Sequence, residues 1–160
     1  MAKFGVIFNK KFDELLNIQK FIESNPRIKI GVLSNGARED SDFGAVELAA
    51  VHEFGSQRRG IPQRSFLRQT MVNRKDDFKA EIESNRETIM KRIASGQGDA
   101  VLEKIGITWQ RYVLETFSAE GPGWASLSPK TIARRIKKSN KILQDTGEMK
   151  KSITYAVVKQ

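Results

Sequence analysis

The chain has 160 residues, no cysteine and a formal net charge of +9 at pH 7. This length is sufficient for one domain with its own apolar core, and the absence of cysteine excludes disulfides and zinc–thiolate centres. The apolar runs are much shorter than a membrane span requires. The first residues are soon interrupted by Lys10 and Lys11 and do not resemble a secretory signal, so we expect a soluble intracellular protein.

The N-terminal part of the chain is predicted to contain two strands and one helix. Residues 3–9 are rich in aromatic and β-branched side chains, which predicts a short strand. Apolar residues at helical spacing predict an amphipathic helix over 11–24, which Asn25-Pro26 ends. Residues 27–33 alternate basic and apolar side chains and predict a strand with one buried face. A turn and a polar loop are expected over 34–43.

The middle of the chain is predicted to be helical. Residues 45–54 form a short helix that Gly55 ends with a left-handed cap, and Ser65 is the expected N-cap of one long helix over 66–93. A Gly-rich segment then precedes the clearest helix of the sequence, residues 99–118. Its continuous apolar stripe predicts a core position and consists of Val101, Leu102, Ile105, Trp109, Tyr112, Val113 and Phe117.

The C-terminal part is predicted to contain a basic helix over 128–138, with Ser128 as N-cap and Pro129 at the first helical position. A turn at 145–147 leads into a last strand, residues 152–158. The expected fold class is therefore α+β: a small, mostly antiparallel sheet packed with several helices, two of them long. We expect a single domain over 1–160 in which residues 65–118 form a helical insertion or hairpin.

The sequence offers no convincing reactive centre. His52 is the single histidine, and the neighbouring Glu53 points about 100° away from it on a helix, which is poorly placed to orient the ring. Glu39, Asp40 and Asp42 form the one tight acidic cluster, but the glycine and distal glutamate of a calcium loop are missing. We therefore predict no catalytic residue, no metal and no cofactor.

The positive charge is concentrated near the C-terminus. Residues 124–160 contain nine Lys or Arg residues and two acidic residues, so they carry +7 of the net charge. The basic segment 128–141 could bind a phosphate backbone without sequence specificity, contact an acidic protein neighbour, or form a plain solvated surface. It lacks the interleaved aromatic residues that stack on bases.

Several segments together resemble a known group of families. Three stretches carry this resemblance: residues 47–55 (ELAAVHEFG) with 61–68 (IPQRSFLR), residues 124–134 (WASLSPKTIAR), and residues 143–153 (LQDTGEMKKSI). They resemble signature segments of the Mu gpG-like and P2 gpS-like virion morphogenesis families, of the HK97-type tail protein family, and of related tail-completion (neck) proteins of tailed bacteriophages. The order of the motifs is rearranged, since the Asp-Thr-Gly segment follows the Glu-Phe-Gly segment.

The resemblance implies a non-enzymatic structural virion protein at the head–tail neck or tail end. Such a protein would complete the tail and join it to the head, as a homo-oligomeric ring that contacts the tail terminator or tube and the head connector. It would be assembled in the host cytoplasm and reside in the virion, without a membrane partner. The alternative is a non-specific DNA-binding protein that uses the basic segment 128–141, for which packaged DNA would be the partner.

Two groups of residues follow from the resemblance and from the local charge. Motif positions expected to hold the structure are Glu53, Phe54, Gly55, Pro62, Phe66, Trp124, Leu143, Asp145, Thr146, Gly147 and Ser152. Candidate contacts with other subunits or partners are Arg58, Arg59, Arg64, Arg68, Arg134, Arg135, Lys137, Lys138 and Lys141.

The segments 47–55 and 61–68 are expected to hold the loop 56–64 firmly at both ends. The loop 34–44 is expected to be a second contact loop. Phe54 would plug the core, and Phe66 would anchor the other end of loop 56–64. In the Asp-Thr-Gly segment, Gly147 would supply an unusual backbone angle, with Leu143 and Ile153 as core anchors on either side.

Overall fold

The computed structural model describes residues 2–33, 44–135 and 140–159. The expected turn and loop at 34–43, which contain the acidic cluster Glu39, Asp40 and Asp42, lie outside the described residues. So do the candidate contact residues Lys137 and Lys138.

The described residues form helices and two strands, in an order close to the predicted one. They are α1 (Ala2–Glu23), β1 (Arg27–Val32), α2 (Ala45–Phe54), a short 3-10 helix (Gln57–Arg59), α3 (Arg68–Ser84), α4 (Arg86–Ala94), α5 (Gly98–Ser118), α6 (Pro129–Arg134), α7 (Glu148–Lys151) and β2 (Ile153–Val158). The strands β1 and β2 pair in an antiparallel sheet. The predicted α+β class is confirmed.

The predicted strand over residues 3–9 is wrong, because α1 is helical from Ala2 onward. A strand needs a partner, and the sheet within the described residues consists of β1 and β2 alone. Extending an existing helix adds one hydrogen bond for each residue fixed. This gain outweighs the weak β preference of the aromatic and β-branched side chains.

The predicted long helix over 66–93 is divided in the structure. It begins at Arg68 and is interrupted at Asn85, between α3 and α4. The Asn85 side chain donates to the carbonyl of Glu81 (2.8 Å), and its backbone N–H is shared between the carbonyls of Glu81 and Ile82. A short amide side chain that competes for backbone groups in this way disturbs a helix at that position.

The chain divides into two compact units, and the helices α3 and α5 contribute residues to both. The first unit contains residues 1–29, 76–107 and 156–160. Within it, α1 packs on α4, and the side-chain amide of Asn17 donates to the carbonyl of Ala94 (2.9 Å). The expectation that 65–118 is a helical insertion stays a prediction.

The second unit contains residues 30–75 and 108–155 and has a well-defined apolar core. Phe66 and Phe117 are fully buried, and their rings meet edge to face with centroids 4.7 Å apart. Burial of one such side chain contributes about 1.5–3 kcal/mol. The buried residues of this core are Ala49, Phe66, Val113, Phe117, Ile142, Leu143, Met149 and Ile153. Most of them belong to the motif segments and the predicted α5 stripe.

Candidate functional site

The C-terminal end of α2 buries its glutamate and exposes its phenylalanine. Glu53 is 6% exposed and Phe54 is 69% exposed, so the prediction that Phe54 plugs the core is wrong. Consecutive helical residues point about 100° apart, so they cannot both face the core. Glu53 lies one turn after the buried Ala49 and therefore shares its inward face.

The buried Glu53 carboxylate caps the N-terminus of α3. Its two oxygens accept hydrogen bonds from the Ser65 hydroxyl (2.6 Å) and from the backbone N–H groups of Leu67 (2.9 Å) and Arg68 (3.1 Å). The first N–H groups of a helix have no partner within the helix, and the helix dipole favours a negative charge there. Ser65 was the predicted cap, and that assignment is wrong, since its hydroxyl donates to Glu53.

The loop 56–64 is held at both ends by backbone hydrogen bonds. Ser56 and Ile61 exchange two of these bonds (2.8 and 2.9 Å), and the Arg64 N–H donates to the His52 carbonyl (2.8 Å). Gly55 has φ 74° and ψ 175°, which differs from the predicted left-handed cap because ψ is extended. A Cβ at Gly55 would lie 2.9 Å from the Gln63 nitrogen, so the close approach requires glycine.

Arg64 connects the motif segment 61–68 to the motif segment 124–134. Its side chain is buried, and its Nε and Nη2 atoms both donate to the Ala125 carbonyl, at 3.2 and 2.9 Å. Burial, and then the nearby positive charge of Arg135, lower the pKa of Arg64. The candidate contact residue Arg64 is therefore also a structural link between residues distant in sequence.

The start of the predicted basic helix is confirmed, but its length is wrong. The Ser128 hydroxyl accepts from the Thr131 N–H (3.1 Å) with Pro129 at the start of α6. The helix ends at Arg134, and Arg135 is extended with φ −72° and ψ 143°. Like charges three or four positions apart destabilise a helix, which accounts for the early end. Lys141 is outside the helix, and its carbonyl accepts from Arg135 (2.6 Å).

The Asp-Thr-Gly segment has the predicted turn. Gly147 is left-handed, with φ 84° and ψ −1°, and Leu143 and Ile153 are both buried in the core of the second unit. The Gln144 side chain donates to the Phe117 carbonyl (2.7 Å), which ties this segment to α5. The prediction that Leu143 and Ile153 anchor the turn is confirmed.

The motif segments line one cleft in the second unit, with a volume of about 660 Å³. We call it the arginine cleft. Among the described residues its charged lining consists of Arg59, Arg64, Arg134, Arg135, Asp145 and Glu148. Its apolar lining includes Leu48, Ile61, Pro62, Leu127, Leu143 and Met149. The sequence did not predict this cleft, because it forms only when segments far apart in the chain meet.

His52 also lines the arginine cleft. Burial, and then the positive charges of Arg64 and Arg135, lower the pKa of His52 from 6.5 to about 4. The ring is therefore neutral at pH 7, and its buried Nδ1 has no hydrogen-bond partner among the described residues. The described part of the chain also contains no group of three or more side chains arranged to hold a metal ion.

The structure separates the candidate contact residues into two sets. Arg59, Arg64, Arg134 and Arg135 line the arginine cleft. Arg58 and Lys141 are exposed and do not line it, and Arg68 lines a separate depression of about 440 Å³ beside Trp124. Trp124 is fixed there by its indole N–H, which donates to Gln69 (3.2 Å).

Comparisons with known proteins identified no relative of the chain. No family model matches the chain, and no curated protein or solved structure matches it. In the described part of the chain, no helix is both long and apolar enough to span a bilayer.

Proposed function

We propose that this chain is a structural protein of a tailed-bacteriophage particle, which acts at the head–tail neck or the tail end through protein–protein contacts. One observation carries the proposal. Residues 47–55, 61–68, 124–134 and 143–153, which resemble neck-protein signatures, contribute to one compact unit and one cleft. The helices α3, α4 and α5 separate the segment 61–68 from the segment 124–134 in the sequence. Segments that serve one function are expected to meet at one surface in this way.

The chemistry of the buried groups supports a non-enzymatic role. Both carboxylate oxygens of Glu53 accept hydrogen bonds from the start of α3, so this group serves the fold. His52 is neutral at pH 7 and has no described partner for its buried nitrogen. A general base needs a nucleophile within hydrogen-bond reach. The charged groups of the cleft are arginines and carboxylates, which suit recognition of a charged partner.

We further propose that copies of the chain form a ring between the tail terminator or tube and the head connector. In a ring, one patch of each copy meets a different patch of the next copy. The arginine cleft is one such patch, and the protein would be located in the virion.

The proposal is tested by removing the gene from the phage or prophage that encodes it. Particles assembled without the protein are expected to appear as free heads and unattached tails by negative-stain electron microscopy. Mass spectrometry of intact virions with the gene present should detect the chain. Normal tailed particles in the deletion strain, or virions without the chain, would contradict the proposal.

A second candidate is non-specific binding to packaged DNA, which the charge of +7 over residues 124–160 favours. The early end of α6 at Arg134 weakens it, because Arg135 and Lys141, among the described basic residues, lie outside the helix. If this candidate were correct, the purified protein would retain duplex DNA at low salt and lose most of the affinity at physiological salt.

A further inference from the structure

The lining of the arginine cleft limits what it can bind. Among its described lining residues, four arginines outnumber two carboxylates, Asp145 and Glu148, so the lining carries a net positive charge that favours an anionic partner. Planar guanidinium groups bind carboxylates in a two-pronged geometry. Its apolar residues, such as Leu127 and Met149, need an apolar group against them to gain from burial. A sugar–phosphate backbone offers the charge but few apolar groups, whereas an acidic peptide segment offers both.

His52 lines the arginine cleft, while its Nδ1 atom is buried within the protein. A polar atom without a partner in a buried position costs free energy, and this one belongs to a residue that lines the cleft. A neutral imidazole nitrogen either donates or accepts one hydrogen bond. Because the Nδ1 atom is buried within the protein, a bound segment would contact only the exposed part of the half-buried His52 ring, which makes the ring a reporter of binding in the cleft.

We propose that the arginine cleft binds an acidic peptide segment of a neighbouring protein in the assembly. Carboxylates of this segment pair with Arg59 and Arg134, and an apolar side chain next to them packs on the apolar lining. The identity of the neighbour as a virion component rests on the proposed function, whereas the binding chemistry does not. Arg64 is not assigned as the main contact, because its side chain is buried and two of its five N–H donors already bind the Ala125 carbonyl.

The test uses an acidic peptide probe, a neutral control peptide and matched variants of the full chain. The probe is the peptide acetyl-Asp-Glu-Phe-Glu-Asp-amide, and its control is the same peptide with Asn and Gln in place of Asp and Glu. Arg59→Gln and Arg134→Gln alter cleft-lining residues on two different segments. Their controls are Arg58→Gln in the same 3-10 helix and Lys130→Gln in the same α6, which remove the same charge from exposed positions outside the cleft.

Binding is measured by isothermal titration calorimetry and by NMR of the His52 imidazole, whose signal is unambiguous because it is the single histidine. We expect the acidic probe to shift the His52 signal and each cleft variant to weaken binding about fivefold, since each loses one charge-assisted contact. The control variants should change affinity by less than about twofold.

Three outcomes would overturn the inference. The acidic probe would fail to bind, the control variants would lose as much affinity as the cleft variants, or a short DNA duplex would shift the His52 signal while the peptide did not. Circular dichroism and thermal melting establish that each variant is folded. Any of these failures would leave the virion test of the proposed function unaffected, because that test measures incorporation into particles and not peptide binding.

Discussion

Replacement of the buried Glu53 is expected to destabilise the protein more than any change at an exposed carboxylate. Its side chain accepts hydrogen bonds from Ser65, Leu67 and Arg68, and it lies at the start of α3 where the helix dipole favours an anion. Glu53→Gln keeps the shape of the side chain but replaces one acceptor oxygen by an amide donor. That donor would face a backbone N–H or the Ser65 hydroxyl.

The magnitude follows from the groups left without a partner. Loss of a helix cap costs about 1 kcal/mol, and a buried donor without an acceptor costs about 1–3 kcal/mol more. We therefore expect Glu53→Gln to lower the free energy of unfolding by about 2–4 kcal/mol. Glu53→Ala removes both oxygens and leaves a cavity beside Ala49, so its cost is expected to be about 3–4 kcal/mol.

The assay is urea unfolding followed by circular dichroism, with Glu47→Gln as the matched control. Glu47 is exposed on the same helix α2, and its replacement should cost less than about 0.5 kcal/mol. A loss for Glu53→Gln no larger than that of the control would refute the assignment of Glu53 as the cap of α3. An unchanged denaturant slope would indicate that the variant unfolds from the same compact state.

Three further predictions concern His52, Gly121 and Phe54. His52 has a folded-state pKa of about 4, below its ordinary 6.5, so the unfolded chain binds more protons between these values. Stability should fall as the pH drops from 6.5 to 4, by about 1–2 kcal/mol between pH 7 and pH 5, and His52→Gln should reduce this dependence in urea melts. A Cβ at Gly121 would overlap the Trp124 ring, whereas Gly123 has a similar positive φ and open space. Gly121→Ala should therefore lower the melting temperature by several degrees more than Gly123→Ala, and equal shifts would contradict the packing of Trp124. Phe54→Ser should change the stability by less than about 0.5 kcal/mol because the ring is exposed; a loss of several kcal/mol would show that Phe54 packs in a core.

The elements that the sequence predicted well are those encoded by a local pattern. Alternation of basic and apolar residues predicted β1, and the unbroken apolar stripe predicted α5 with Tyr112, Val113 and Phe117 buried. The Ser128-Pro129 pair predicted the start of α6. In each case the signal lies within a few residues of the structure that it specifies, so no tertiary contact was needed to interpret it.

The errors arise where the outcome depends on a partner distant in sequence. Residues 3–9 have strand-like composition, but within the described residues no strand pairs with them and the helix α1 includes them. The capping of α3 joins residues 12 to 15 positions apart, so a search for a local N-cap selected Ser65. The helical phase of α2 contained a usable signal, because Glu53 lies four positions after Ala49 and Phe54 does not.

The arginine cleft shows why the site is a stronger indication of function than any single motif. Burial is the largest cause of the lowered pKa of His52, and the positive charges of Arg64 and Arg135 lower it further. Burial, and then the charge of Arg135, also lower the pKa of Arg64. Bringing like charges together opposes folding, and in this cleft the carboxylates of Asp145 and Glu148 and the packing of the surrounding core offset this cost. Sites that lower stability in this way are characteristic of binding surfaces, where a ligand of opposite charge relieves the repulsion. An acidic partner would supply that charge and would offset the contribution of Arg64 and Arg135 to the lowered pKa of His52.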